Sequence, residues 1–80
     1  MSLEQNIPIV VREIREEKEI SCAALGRAIG VSSGHMSQME TGKRGIPYDT
    51  LELIAGALGV KAVTIVSRAE KLDNAKSRKK

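Results

Sequence analysis

The 80-residue chain has one cysteine, one histidine, two prolines and no long apolar run. Cys22 alone cannot close an intrachain disulfide, and His35, the single imidazole, has no spaced set of soft partners for structural zinc. Stability must therefore come from packing, near the lower size at which one core holds a domain without staples. No stretch reaches the roughly 20 apolar residues that a membrane span needs. The N-terminus carries Glu4 and Gln5 in place of a basic region followed by an apolar stretch, so the expectation is a cytoplasmic protein. Ser33 and Ser37 lack a base and an orienting acid at recognisable spacing, and no glycine-rich phosphate loop follows a strand. No catalytic residue, metal or cofactor is expected.

Charge is unevenly spread. Residues 71–80 hold five cations against Asp73, net +4, which leaves the first 70 residues with eight cations against nine anions, net −1. The overall basicity thus belongs to the tail. Within the body, Glu13, Glu16, Glu17 and Glu19 make the end of the first segment acidic, whereas Ser21 to Gly45 carries Arg27, Lys43 and Arg44 against Glu40. The positive part of the body is this middle stretch.

That stretch, ISCAALGRAIGVSSGHMSQMETG from Ile20 to Gly42, has the punctuation of two short helices around a tight turn. Ser21 is a cap for the first, Gly30 a stop, Val31 a core plug and Ser32 a second cap. Before it, Ile7, Val10, Val11 and Ile14 recur at helical spacing. Asn6 is expected to cap that first helix, with Pro8 tolerated in its opening turn, residues 1–6 frayed and the end near Lys18. Ile20 is placed as a hydrophobic staple for the second helix, Cys22 to Ile29. Gly26 costs that helix about 1 kcal/mol relative to alanine, a cost that tight packing would offset. After it, TLELIAGALG gives a fourth helix ending at Gly59, and residues 60–72 a fifth. Val63, Ile65, Val66, Ala69 and Leu72 leave that fifth helix with more apolar surface than a small core requires. Two readings stand: these residues meet a second copy of the chain, or they cap the monomer core. Residues 73–80, DNAKSRKK, have the composition of a disordered basic end, either solubilising or weakly attracted to phosphate.

On the third helix, Met36 and Met39 point inward together with Glu40. Gly34, Ser37, Gln38 and Thr41 face outward, flanked by Ser33 and His35. This outward set is small and polar, able to enter a groove and bond base edges, although a plain solvated face has the same composition. Lys43 and Arg44 follow directly, where a cation pair beside a groove-reading helix can clamp phosphates.

The runs REIREEKEIS, LGRAIGVSSGHMSQMETGKRGIP and TLELIAGALGV resemble the Cro/C1 or XRE family of lambda-repressor-like helix-turn-helix regulators. The resemblance covers about Val11 to Val60. It implies an all-α, five-helix domain over residues 1–72 followed by the 73–80 tail, with no enzymatic activity. By the same resemblance, Arg15 pairs with Glu40 and braces the first helix on the third. Ser33, Gly34, His35, Ser37 and Gln38 correspond to base-reading or groove-facing sites, and Cys22, Arg27, Ser32, Thr41, Lys43 and Arg44 to phosphate contacts. Cys22 stands where the family usually has glutamine, Gly26 where alanine is usual, and Gly34 where a side chain often reads a base, which passes more of that work to His35, to backbone or to DNA shape.

The resemblance implies a small repressor or autoregulator that binds double-stranded DNA as a homodimer on an inverted repeat, associated with the nucleoid. The alternative is a protein-interaction module, or an antitoxin with a toxin partner, in which the same fold binds DNA weakly or not at all. Cys22 near a helix start also leaves a reactive thiol open.

Overall fold

The computed structural model describes residues 3–78, with side-chain surroundings over residues 5–72. Among the described residues there are five helices: α1 Leu3–Glu17, α2 Cys22–Ile29, α3 Ser33–Glu40, α4 Tyr48–Leu58 and α5 Ala62–Arg78. Each contributes its apolar stripe to one core. Val10, Val11 and Ile14 of α1 meet Leu25 of α2, Met36 and Met39 of α3, Leu51, Ile54, Ala55 and Leu58 of α4, and Ile65 and Ala69 of α5. All are at most 3% exposed, so the two methionines are core.

The helix ends follow local rules. Ser21 Oγ accepts from the Ala24 amide at 3.0 Å and Ser32 Oγ from the His35 amide at 3.0 Å, which satisfies donors that a helix start leaves orphaned. Gly30 takes φ 85°, a left-handed conformation that glycine adopts without a side-chain penalty, and lets the Val31 amide return to the Gly26 carbonyl at 2.8 Å. Gly26 is buried in the angle between α2 and α3. A Cβ there would lie 3.0 Å from the Val31 carbonyl oxygen and 3.1 Å from that of Ser32, so the close approach that offsets its helix cost is present.

Helix α1 departs from expectation at its start. It begins at Leu3, before Asn6, and Pro8 lies inside it. Asn6 is fully buried and donates Nδ2 to the Ala69 carbonyl of α5 at 3.2 Å, with its Oδ1 unpartnered among the described residues. Its side chain is therefore spent on joining α1 to α5 and does not cap. Pro8 removes only the bond to the Glu4 carbonyl, one turn into the helix, which limits its cost. Of residues 1–6, expected to be frayed, the first two lie outside the described residues.

Helix α5 starts at Ala62 because Val60 is committed to the preceding turn, its amide donating to the Ala55 carbonyl at 2.9 Å past Gly59. It runs on to Arg78, where a disordered end was expected from residue 73, since residues 62–78 contain no glycine or proline to stop it. The side chains of residues 73–80 and the backbone of residues 79–80 lie outside the described residues. Of the two readings left open for Ile65 and Ala69, a cap on the monomer core holds: both are fully buried within the single chain, as part of the common core. Val63 is 66% exposed, and Val66 and Leu72 are half-buried. No single described helix is long and apolar enough to cross a membrane. Tyr48–Leu58 and Ala62–Leu72 together have the length and composition, but the pair is bent by 102°.

The end of α1 carries a strained residue. Glu19 has φ 58°, and around it the Ile20 amide donates to the Arg15 carbonyl at 3.0 Å and the Glu19 amide to that of Glu16 at 3.1 Å. This is the bond pattern that Gly30 makes easily, here forced on a residue with a Cβ. Glu19→Gly should therefore raise the unfolding free energy by about 0.5–1 kcal/mol in urea titration. An unchanged or lower midpoint would mean that the turn carries no such strain.

Candidate nucleic-acid interface

The arrangement of α2 and α3 is set from below by an ion pair. Arg15 of α1 reaches Glu40 at the end of α3 with two parallel bonds, Nε to Oε2 at 2.7 Å and Nη2 to Oε1 at 3.0 Å. Its remaining Nη1 donates to the Ile20 carbonyl at 2.8 Å, in the turn that leads into α2. The two side chains are only 12% and 6% exposed. The hydrogen bonds that Arg15 donates to Glu40, and the charge of that carboxylate, raise the Arg15 pKa against the opposing effect of burial, so the guanidinium stays charged. A two-pronged arginine–carboxylate pair fixes direction as well as distance. One side chain thus ties α1 to both helices of the helix-turn-helix.

With Met36 and Met39 buried, the opposite side of α3 is open. Ser33, Gly34, Ser37, Gln38 and Thr41 are exposed and His35 is half-buried. No bulky apolar side chain interrupts this face. Ser32, whose hydroxyl caps α3, is also exposed, as is Arg27 on α2. Cys22 is half-buried at the start of α2, its Sγ 3.9 Å from the Ser33 carbonyl. Burial first, then the Glu40 charge, push its thiol pKa up, with Arg15 opposing, so nothing in its surroundings activates a thiolate.

The loop after α3 is tied to one residue. The Gln38 carbonyl accepts from the Lys43 amide at 2.9 Å, the Arg44 amide at 3.1 Å and the Thr41 hydroxyl at 3.2 Å. Arg44 Nε also reaches the Gln38 side-chain Oε1 at 3.2 Å. Lys43 and Arg44 are consequently held beside the exposed face of α3, both side chains open to solvent. Sequence reasoning missed what lies next to them. Gln5, Ile7 and Pro8 of α1 and Gly42, Arg44, Gly45, Ile46 and Pro47 of the loop enclose a half-open cleft of about 510 Å³. A composition pattern could not bring residues 5–8 to this loop, because only the path of the chain does.

A polar, sterically open helix face with cations fixed at its end is complementary to a nucleic-acid groove flanked by phosphates. Comparison with known proteins agrees with that geometry. A family model described as a helix-turn-helix domain matches residues 9–65, and the chain belongs to that family. No curated protein matches it. Among solved structures it is similar to the clp gene regulator ClgR from Corynebacterium glutamicum, with a TM-score of 0.92 at 22% identity over 99% of this chain and 84% of that one, a likeness of fold. It is also similar to the restriction-modification controller protein C.Esp1396I, with a TM-score of 0.79 at 25% identity over 89% of this chain and 92% of that one. The same controller bound to a 25 base pair operator site matches with a TM-score of 0.78 at 25% identity, over 89% of this chain and 93% of that one. The fold is that of Cro/C1-type helix-turn-helix DNA-binding regulators, as the sequence resemblance implied.

The ion pair beneath the interface gives a direct test. Arg15→Met leaves the buried Glu40 carboxylate unpaired and should cost about 3–5 kcal/mol in denaturant unfolding, most of which Glu40→Met in the same chain restores. A double variant no more stable than the single one would assign the loss to the Ile20 carbonyl contact instead.

Proposed function

We propose that this chain is a sequence-specific double-stranded DNA-binding transcriptional regulator, a small repressor or autoregulator that acts as a homodimer on an inverted repeat. The observation that carries the reading is the exposed polar face of α3, backed by two buried methionines and closed by a loop pinned to Gln38. In this reading α3, with Thr41 after it, lies in the major groove. Ser33, Gly34, His35, Ser37 and Gln38 face base edges. Cys22, Arg27, Ser32, Thr41, Lys43 and Arg44 lie along the phosphates, with Cys22 offering only a weak donor. The operator complex of C.Esp1396I, a protein of the same fold, supports double-stranded DNA as the partner.

A single module of this size binds one genomic site too weakly, and two-fold symmetry answers this by reading two half-sites about 34 Å apart. With Ile65 and Ala69 inside the monomer, the surface for a second copy is Val63 with the accessible parts of Val66 and Leu72. Val63→Glu should then shift sedimentation equilibrium toward monomer without lowering the helical circular dichroism. A wild-type chain already monomeric at operator-binding concentrations would remove the dimer from the reading.

Cys22 and Gly34, which replace residues that commonly contact DNA in the family, favour a second reading as an interaction module or antitoxin with little DNA affinity. Gel shifts separate the two. The regulator binds random duplex at low salt, and on its selected site Gln38→Ala loses about ten- to a hundredfold in affinity while random duplex is nearly unaffected. Absence of any shift at low salt would leave the interaction module standing, and equal loss on both duplexes would show that Gln38 reads no base.

A further inference from the structure

The bond between Arg44 Nε and Gln38 Oε1, at 3.2 Å, links a residue of the proposed phosphate set to one of the base-reading set. It is not a chance crossing of two mobile side chains. The Arg44 main chain is already anchored to the same residue, its amide donating to the Gln38 carbonyl at 3.1 Å beside the Lys43 amide at 2.9 Å. Arg44 therefore leaves the loop at a fixed distance from α3 and its side chain folds back over the amide of Gln38.

The chemistry of the pair sets the polarity of that amide. A guanidinium offers donors only, so Gln38 must turn its oxygen toward Arg44 and its NH2 group away. The opposite orientation would set N–H against N–H. A glutamine free to rotate bonds adenine with both ends of its amide, donating to N7 and accepting from the 6-amino group. Here the oxygen already accepts from a cation, which makes it a poorer acceptor for a second donor, and the positive charge beside it repels an amino group. The surface left facing outward is a cluster of donors: the Nε2 hydrogens of Gln38 and the Nη hydrogens of Arg44, which carry no other bond among the described residues. In the major groove the edge that meets donors with two adjacent acceptors is guanine, through N7 and O6.

We propose that Gln38 and Arg44 form one reading unit, in which Arg44 holds the Gln38 amide oxygen-inward so that the pair selects guanine at the base pair facing Gln38. Arg44 is thereby a positioning residue for specificity in addition to its place beside the phosphates. This rests on the reading of the chain as a DNA-binding regulator and deepens it.

The test is selection from a randomised duplex library, followed by competition titrations, with the full chain and the variants Gln38→Ala, Arg44→Met and Lys43→Met. Arg44→Met keeps most of the stem and removes every donor, and because Arg44 is exposed the fold should persist, which circular dichroism checks. The wild-type chain should prefer guanine at the position whose preference Gln38→Ala abolishes. Arg44→Met should lower that preference about tenfold or turn it toward adenine, at that base pair alone. Lys43→Met should weaken all sequences alike and leave the base preference intact. A wild-type preference for adenine there, an Arg44→Met profile with unchanged preference, or a Gln38→Ala profile with no altered position overturns the unit. A wild-type chain that retains no duplex at low salt overturns the regulator reading itself, and that outcome is visible before any variant is compared.

Discussion

The three bonds made by the Arg15 guanidinium fix α3, and the turn that leads into α2, against α1. Two go to the Glu40 carboxylate at the end of α3 and one to the Ile20 carbonyl ahead of α2, and the fork geometry of arginine lets one side chain serve both directions. Burial of this pair makes it directional, because little water competes for either partner. The consequence for function is positional. The face of α3 is aimed by a charged strut that originates in α1, so α3 and the helix that supports it are coupled through one side chain. The apolar contacts of Met36 and Met39 fill the space beneath, but they would tolerate rotations that the ion pair does not.

Much of this could be read from the chain, for a specific reason. The ends of α2 and α3 are written in residues whose effect is local: Ser21 and Ser32 bond amides three residues on, and Gly30 supplies the left-handed turn without reference to anything distant. The inward and outward sides of α3 follow from helical period alone, and the exposures of Met36, Met39, Ser37 and Gln38 match it. What could not be read is long-range. Asn6 has the composition of a cap, and only the arrival of Ala69 beside it, 63 residues later in the chain, makes it a bridge between helices. Ile65 and Ala69 look surplus in a one-dimensional pattern until the packed helices take them into the core. Nothing in the sequence marks Glu19 as left-handed, because there the backbone is held by the bonds from Ile20 and Glu19 to the carbonyls of Arg15 and Glu16.

The candidate site shows the same division. The residue types on α3 and the cations after it were legible as a set, while their mutual bonding was not. Whether Lys43 and Arg44 act as separate charges or as parts of a larger device depends on the path of the loop, which returns to the Gln38 carbonyl three times. The resemblance to Cro/C1-type regulators orders the positions but says nothing of this chain's own pairing. Such a bond arises from one arginine and one glutamine six residues apart, a spacing without any general meaning outside a turn of this shape.

The Asn6 bridge has a reach beyond local packing. It joins the first described helix to the last, so α5 cannot lift away from α1 without stripping a buried amide of its partner. Removal of the Asn6 amide therefore acts at a distance, on the helix that bears Val63. The seating of α5 is thus set in part by a polar residue of α1 that lies far from it in sequence.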